Sequence, residues 1–475
     1  MRTPRRHDTK RQDTTCPDAN GEDTTGLAPE RRHARVGRMT DAPGPAQADP
    51  LFPADEAIGG FMLDGTVKGI PPRARLRLDA IGAQGWNVLA GDLPFPIAVL
   101  DAGRLRHNAA WMATFCRLNG LSLCPHGKTT MAPQLFALQR AHGAWGITVA
   151  TAQQLAVARR FGVRRAIWAN QPVGRLAVEA AFDAVADPGF ELFVLADSLA
   201  VVEGLAAGAA RAGLARPLGV LLEVGNQGGR TGARDAASAL AVARAIAAAP
   251  GLALAGVECF EGLLPDTASV DAMLGTLADV AAEAAAEGLF AGGEVILSAG
   301  GTSFFDRVGA RLPDAAALGR PVRRVLRSGC SITHDDIGYA QSYARMRSEG
   351  ALRFPEGDPL PALTVWTMVQ SVPEPRLAIL TGGKRDIGSD MGQPVPLRHF
   401  RPGVHEAPQP FGAFHRIAGM NDQHAHLVGP AEGLLQVGDL VALGIGHPCS
   451  TFDRWQVIPL VDEALTVTGA IRTFF

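Results

Sequence analysis

The stretch Leu121-Ser122-Leu123-Cys124-Pro125-His126-Gly127-Lys128-Thr129-Thr130-Met131, followed by a helical pattern over 132–142, reads as one complete strand–turn–helix unit. Its apolar run has the length and composition of a buried parallel strand. Pro125 and Gly127 open the turn, which places Lys128 at the carboxyl end of the strand. Open and closed α/β folds keep their chemistry at that end. A lysine walled there by apolar residues is partly desolvated, its pKa falls, and its amine becomes a nucleophile toward a carbonyl. A lone lysine after a strand is ordinarily a solvated surface group, so the weight of the reading rests on the rest of the chain.

Outward from this unit the same alternation recurs. After 96–101 (PIAVLD) and a helix through about Leu118, short apolar runs fall at 121–125, 146–150, 166–170, 191–197, 218–224, 254–260, 295–299 and 323–329. Alanine-rich amphipathic stretches between them, such as 233–249 and 270–287, are long enough to be crossover helices. Eight such units predict a closed (β/α)8 barrel over 96–342 rather than a doubly wound sheet.

Each run passes abruptly from apolar to polar or glycine residues, and in a barrel those ends converge on one rim. After the seventh run stands Ser298-Ala299-Gly300-Gly301-Thr302-Ser303, and after the eighth Ser328-Gly329-Cys330-Ser331. Barrels bind phosphate with these two loops, because glycine lets backbone N–H groups approach an anion and hydroxyls add donors. Arg230, in GNQGGRTG after the fifth run, and Arg327 are fixed cations on the same rim. Either suits the ring nitrogen of a pyridoxal cofactor, and either suits a plain ion pair with Glu223, Glu258 or Asp306.

From 343 to 475 the runs become strand-like, with no helical pattern between them: LTVWTMVQS, RLAILTGG, DLVALGIG, WQVIPLV and ALTVTGAI. A mostly β domain is expected there, completed by an N-terminal strand from 51–95. It carries Gly446-His447-Pro448-Cys449. Residues two apart in extended chain point the same way, so imidazole and thiolate can share a metal, and the soft sulfur selects zinc over magnesium or manganese. Asn421-Asp422-Gln423-His424-Ala425-His426 supplies polar groups for an outer layer around such a metal.

Composition bounds the rest. Lys plus Arg number 45 against 47 for Asp plus Glu, a net charge of −2, so neither nucleic acid nor a membrane surface is an expected partner. Six cysteines without CxxC pairs argue for a reducing, cytoplasmic setting. No apolar run reaches the roughly 18 residues of a membrane span. Residues 1–50 are rich in Arg, Asp, Thr and Pro and read as a disordered tail without the apolar core of a signal peptide; Met39 is an alternative start.

Together HGKTT, the Gly-Arg-Thr-Gly end of the fifth run, SAGGTS, RSGC and the terminal HPCSTFDRW resemble the D-serine dehydratase and D-threonine aldolase branch of the alanine-racemase-fold pyridoxal phosphate enzymes, nearest to bacterial D-serine-deaminase-like proteins. The resemblance covers about residues 90 to 475. It implies Lys128 as the residue bonded to pyridoxal phosphate; His126, Arg230 and Arg327 stand as further candidate cofactor-binding residues. It implies Gly300, Gly301, Thr302, Ser303, Gly329 and Cys330 on the cofactor phosphate. His447 and Cys449 are implied on a catalytic zinc or other divalent metal, and the assembly as a homodimer. Two departures stand out: Phe260-Glu261-Gly262 where relatives typically read Tyr-Glu-Gly, and Cys330-Ser331 where an aromatic is frequent.

The expected activity is β-elimination of water from a D-3-hydroxy amino acid of the D-serine type, giving a 2-oxo acid and ammonia. Two rivals stay open at this point: a metal-dependent D-threonine aldolase that cleaves Cα–Cβ, and a non-catalytic pyridoxal phosphate carrier.

Overall fold

The computed structural model describes residues 49, 51–52, 55–350, 352–430 and 435–475; apart from Asp49, Leu51 and Phe52, the expected N-terminal tail and the residues beside it lie outside them. Eight parallel strands, Ser122–Leu123, Ile147–Val149, Arg165–Trp168, Glu191–Ala196, Leu218–Val224, Leu252–Cys259, Val295–Ala299 and Val322–Leu326, form one sheet. The first pairs with the eighth, Leu123 opposite Leu326, and the order then runs back to the second. Closure between the first and second strands passes through the lysine stretch. Trp145 N donates to Leu123 O at 2.7 Å and Thr148 N to Pro125 O at 2.9 Å, with a parallel bridge between His126 and Thr148. The barrel therefore closes with the lysine turn at its rim.

Why these segments are strands follows from burial on both faces. Ile167, Leu195, Leu221, Ile296 and Val325 pack with Cys124 and Phe193 into a separate interior cluster, while their neighbours Val194, Leu222, Val257 and Leu297 pack with residues of the crossover helices. Such a barrel is a filled core, so substrate chemistry is confined to the loops at its end. The helices start on the side chains that the sequence offers as caps. Asp101 accepts from Arg104 N at the head of Ala102–Leu118, and Asp235 and Ser238 form a reciprocal capping box before Ala236–Ala248.

In the C-terminal part, all five expected runs are strands, and Val395–Phe400, Arg416–Met420 and His424–Val428 add to them. These three are less apolar; Pro396 and Gly419 each mark a register shift in the pairing, which hides the alternation from a sequence reading.

The N-terminal contribution differs from the expectation. Met62–Asp64 and Arg75–Arg77 pair only with each other. The strand added to the β domain is Ile97–Asp101, antiparallel to Leu363–Glu374 and parallel to Val457–Val461. This strand opens the segment 96–342 that the periodicity assigned to the barrel. Four of its five residues are buried, so its pattern suits the interior of either sheet equally. Residues of 51–95 still reach the β-domain core through Leu51, Ile58, Leu63 and Ile81. Among the described residues no helix is long and apolar enough to cross a membrane.

Candidate active site

At the carboxyl rim of the barrel lies a cavity of about 430 Å³ whose lining includes Lys128, Arg230, Thr302, Arg327, His447 and Cys449. His126, Gly300, Gly301, Ser303, Gly329 and Cys330 line the same cavity. The barrel and the β domain of one chain therefore meet around Lys128. A volume of this size suits a bound cofactor together with a small substrate.

The lysine turn is a short 3-10 helix, Gly127–Thr129, followed by the helix Pro133–Ala141 with proline in its first turn. A Cβ on Gly127 would lie 2.9 Å from the Phe136 ring and 3.0 Å from Ile147, so only glycine lets the turn settle on the barrel. Met131 takes a positive φ of 41°, and its carbonyl is held by Phe474 N at 2.9 Å, a strained residue kept in place from the β domain. Lys128 opens into the cavity and makes no hydrogen bond or ion pair with a described residue. Burial lowers the pKa of its ammonium; the positive charges of Arg230 and Arg327 push the same way, and negative charge on the sulfurs of Cys449 and Cys330 opposes them. Beside it, His126 is held well below its usual pKa by burial and by Lys128 and Arg327, and its buried Nδ1 has no partner.

The two arginines have different surroundings. Arg327 is buried and binds Glu258, with Ser298 Oγ at 3.1 Å and Cys259 O at 2.7 Å completing its cage. Arg230 instead lies over the Phe260 ring, 4.8 Å from its centroid, and forms no ion pair with a described residue. Glu223 is engaged by Gln171 and Thr231, and Asp306 by Arg345. Among the described residues Arg230 is thus a cation left available to an incoming anion. Burial pushes the Glu258 carboxyl up to about 7 despite Arg327, since Glu223 repels it and its Oε1 is buried without a partner.

The glycine loop corrects one expectation. The amides of Gly300 and Gly301 are already bonded to the fully buried carboxylate of Glu261, at 3.0 and 2.9 Å, so they do not face a phosphate. Glu261 folds back from the end of the sixth barrel strand and fixes the shape of 300–303. Gly329 is needed for close packing, since a Cβ there would lie 2.4 Å from Thr129 Oγ1. Among the described residues, the N–H groups of Thr302, Ser303 and Gly329 have no hydrogen-bond acceptor. These, with the Thr302 and Ser303 hydroxyls, are the donors that fit a cofactor phosphate.

On the opposite wall, His447 and Cys449 begin the short helical turn Cys449–Phe452. His447 Nδ1 bonds Asp390 Oδ2 at 2.6 Å, and Ser450 binds the other oxygen of the same carboxylate. Asp390 thus orients the imidazole through Nδ1, and Nε2 is the atom that would bind a metal on losing its proton. Cys449 is held down to about 4, first by its contact with Cys330 and then, against burial, by His447; its thiolate in turn raises His447 to about 9. This thiolate–imidazole pair is the donor set zinc prefers. Among the described residues no three His, Cys, Asp or Glu side chains already surround one point. His424 and His426 lie instead in the strand His424–Val428, His426 bonded to Asn421, and contribute nothing to this cavity. Asp390 and Glu261 were not picked out as site residues; only Glu261 left a signal, its place at the polar end of the sixth run.

Comparison with known proteins agrees with the motifs. Residues 362–461 match the model of the putative serine dehydratase domain. The chain is 23% identical over 382 residues, 77% of its length and 88% of the other's, to the 3-hydroxy-D-aspartate aldolase of Paracoccus denitrificans (strain Pd 1222). It is 29% identical over 154 residues, 32% of its length and 40% of the other's, to the D-threo-3-hydroxyaspartate dehydratase of Delftia sp. (strain HT23). The fold is shared with the D-threonine aldolase from Filomicrobium marinum, with a TM-score of 0.65 and 24% identity over 82% of this chain and 97% of that one. A solved cysteine-to-alanine variant of a D-threo-3-hydroxyaspartate dehydratase, in the metal-free form, superposes with a TM-score of 0.62 and 20% identity over 82% of this chain and 99% of that one.

Proposed function

We propose that this chain, which shares fold and motifs with the D-serine dehydratase and D-threonine aldolase relatives, is a pyridoxal phosphate- and zinc-dependent dehydratase that removes water from a D-3-hydroxy amino acid to give a 2-oxo acid and ammonia. The observation that carries this reading is that one cavity in one chain brings the Lys128 amine, unpartnered among the described residues, to the His447–Cys449 pair. When bound, the cofactor supplies an electron sink for the carbon bearing the amine, and the metal supplies a Lewis acid for the hydroxyl on the next carbon.

The chain's own residues do the remaining work. Lys128 holds the cofactor until substrate arrives, and its lowered pKa then suits its Nζ to take the proton from Cα. Arg327 keeps a fixed positive charge in the cavity wall, and a guanidinium does not accept a proton at neutral pH. Arg230, without a carboxylate partner among the described residues, is the group to receive an anionic part of the ligand. Glu261 holds the 300–303 loop so that the Thr302 and Ser303 donors face inward. Asp390 orients His447, and Thr129 Oγ1, 3.3 Å from Cys449 Sγ, ties the thiolate to the lysine turn.

A second reading draws on the aldolase from Paracoccus, which aligns with 77% of this chain: a proton leaves the β-hydroxyl instead, and Cα–Cβ breaks. Cofactor and metal dependence are common to both. Ammonia release from D-3-hydroxy amino acids that requires pyridoxal phosphate, stops on chelation and returns with zinc supports the proposal; release that survives both chelation and Lys128→Ala overturns it.

A further inference from the structure

Cys330 and Cys449 come from distant parts of the chain. One opens the 3-10 turn Cys330–Ile332 after the eighth barrel strand, the other the helical turn Cys449–Phe452 of the β domain. Their sulfurs nevertheless lie 3.7 Å apart in the cavity wall. Both are free thiols, and the separation is far from the S–S bond of about 2.05 Å. It is the length of an S–H···S hydrogen bond between them, and it lies close to the roughly 3.8 Å at which two sulfurs each about 2.3 Å from one zinc stand.

Two ordinary alternatives fit less well. A packing contact between two thiols suits a dry apolar core, but these sulfurs face a cavity that also holds Lys128, Arg230 and His447. A structural disulfide is excluded by the distance. The third donor is adjacent as well, since His447 stands two residues before Cys449, lines the same cavity and has its Nδ1 tethered to Asp390. The two sulfurs are in place, and His447, held at Nδ1 by Asp390, is the third donor that the inference adds to them.

We infer that Cys330 is a second sulfur ligand of the catalytic metal, joining His447 and Cys449 in a Cys2His set whose fourth position opens into the cavity. The inference rests on the metal-dependent reading above and goes beyond it by adding a ligand from the barrel itself. Bound as thiolates, the two sulfurs balance the charge of a divalent ion. One exchangeable position then remains, so a substrate hydroxyl can reach the ion while the substrate carboxylate cannot bind it at the same time. That carboxylate falls to a protein cation, for which Arg230 is the free candidate.

The test uses the full chain with its pyridoxal cofactor, kept reduced and loaded with cobalt(II) or zinc. Thiolate-to-cobalt charge transfer counts sulfurs, and its intensity per cobalt should drop by about half in Cys330→Ala and equally in Cys449→Ala. X-ray absorption of the zinc form should show two sulfurs at about 2.3 Å. Zinc should bind Cys330→Ala at least ~10-fold more weakly, with the far-ultraviolet circular dichroism and bound-cofactor absorbance of the wild type. Cys330→Ser, smaller in perturbation, serves if the alanine variant misfolds. One sulfur per metal in the wild type, with unchanged zinc affinity in the Cys330 variants, overturns this inference alone. Reduced wild-type protein that binds no metal at all overturns it together with the metal-dependent reading.

Discussion

The sulfur of Cys449 lies 3.3 Å from Oγ1 of Thr129, so the histidine–cysteine motif of the β domain touches the residue that follows Lys128. Phe474 N on Met131 O at 2.9 Å and Gln134 Nε2 on Ala470 O at 3.2 Å hold the same turn from the β-domain side. The lysine turn is therefore clamped between two structural layers, and Lys128, His447 and Cys449 line one cavity of the chain.

Lys128→Ala should abolish turnover, by a factor on the order of 10³ or more, and remove the visible absorbance of the bound cofactor. Folding stability should change by no more than about 0.5 kcal/mol, because the ammonium makes no bond to a described residue. Absorbance and denaturation curves measured on the same sample decide it, and retention of the visible band would assign the cofactor to another lysine.

Glu258→Gln tests which force governs the buried pair with Arg327. Burial raises the folded pKa from 4.5 to about 7, so between those values the native state binds more protons than the unfolded chain. Wild-type stability from this group is therefore full below about pH 4.5 and falls as pH rises toward 7. The glutamine variant lacks that titration. Its stability relative to wild type should improve across this window by a few kcal/mol at most, at about 1.4 kcal/mol per pKa unit. If the variant instead loses ground as pH rises, the Arg327 attraction outweighs burial.

How far the sequence alone reached can be seen in particular elements. All eight barrel strands were visible, since runs such as 191–197 and 218–224 are apolar on both faces and end in polar rim residues. Ile97–Asp101 was visible as a strand but not its sheet, because burial on both faces carries no address. Val395–Phe400 escaped notice because Pro396 interrupts the run. At the site, Lys128 and the HPC motif stood out by residue type, whereas Asp390 sits in a loop with no pattern and acts only through its contact with His447. The role of Glu261 depends on a backbone turn that brings it to Gly300 and Gly301, which spacing along the chain does not reveal.

Glu261→Gln replaces one of two acceptor oxygens with a donor, leaving either the Gly300 or the Gly301 amide buried without a partner. A loss of about 1–3 kcal/mol is expected, along with faster loss of pyridoxal phosphate on gel filtration as the 300–303 loop loosens. Unchanged melting temperature and cofactor retention would mean that the loop keeps its shape without this carboxylate.

Asp390→Asn keeps the size of the side chain but removes the charge that orients His447. Zinc affinity should fall by about 10–100-fold, and activity should be restored by excess zinc. Competition titration against a chromophoric chelator measures this directly; equal affinity in the two proteins would show that His447 needs no carboxylate to bind metal.

The central claim is dehydration, and the partition of products tests it most directly. D-serine, D-threonine, D-threo-3-hydroxyaspartate and their L-forms are each incubated with the protein carrying pyridoxal phosphate and zinc, and ammonia, 2-oxo acids, glycine and aldehydes are quantified. The account predicts equal amounts of ammonia and the unshortened 2-oxo acid from at least one D-substrate, with no glycine and no turnover of the L-forms. Glycine accompanied by an aldehyde or a shortened oxo acid, with no ammonia, would contradict it and assign the chain to aldol cleavage.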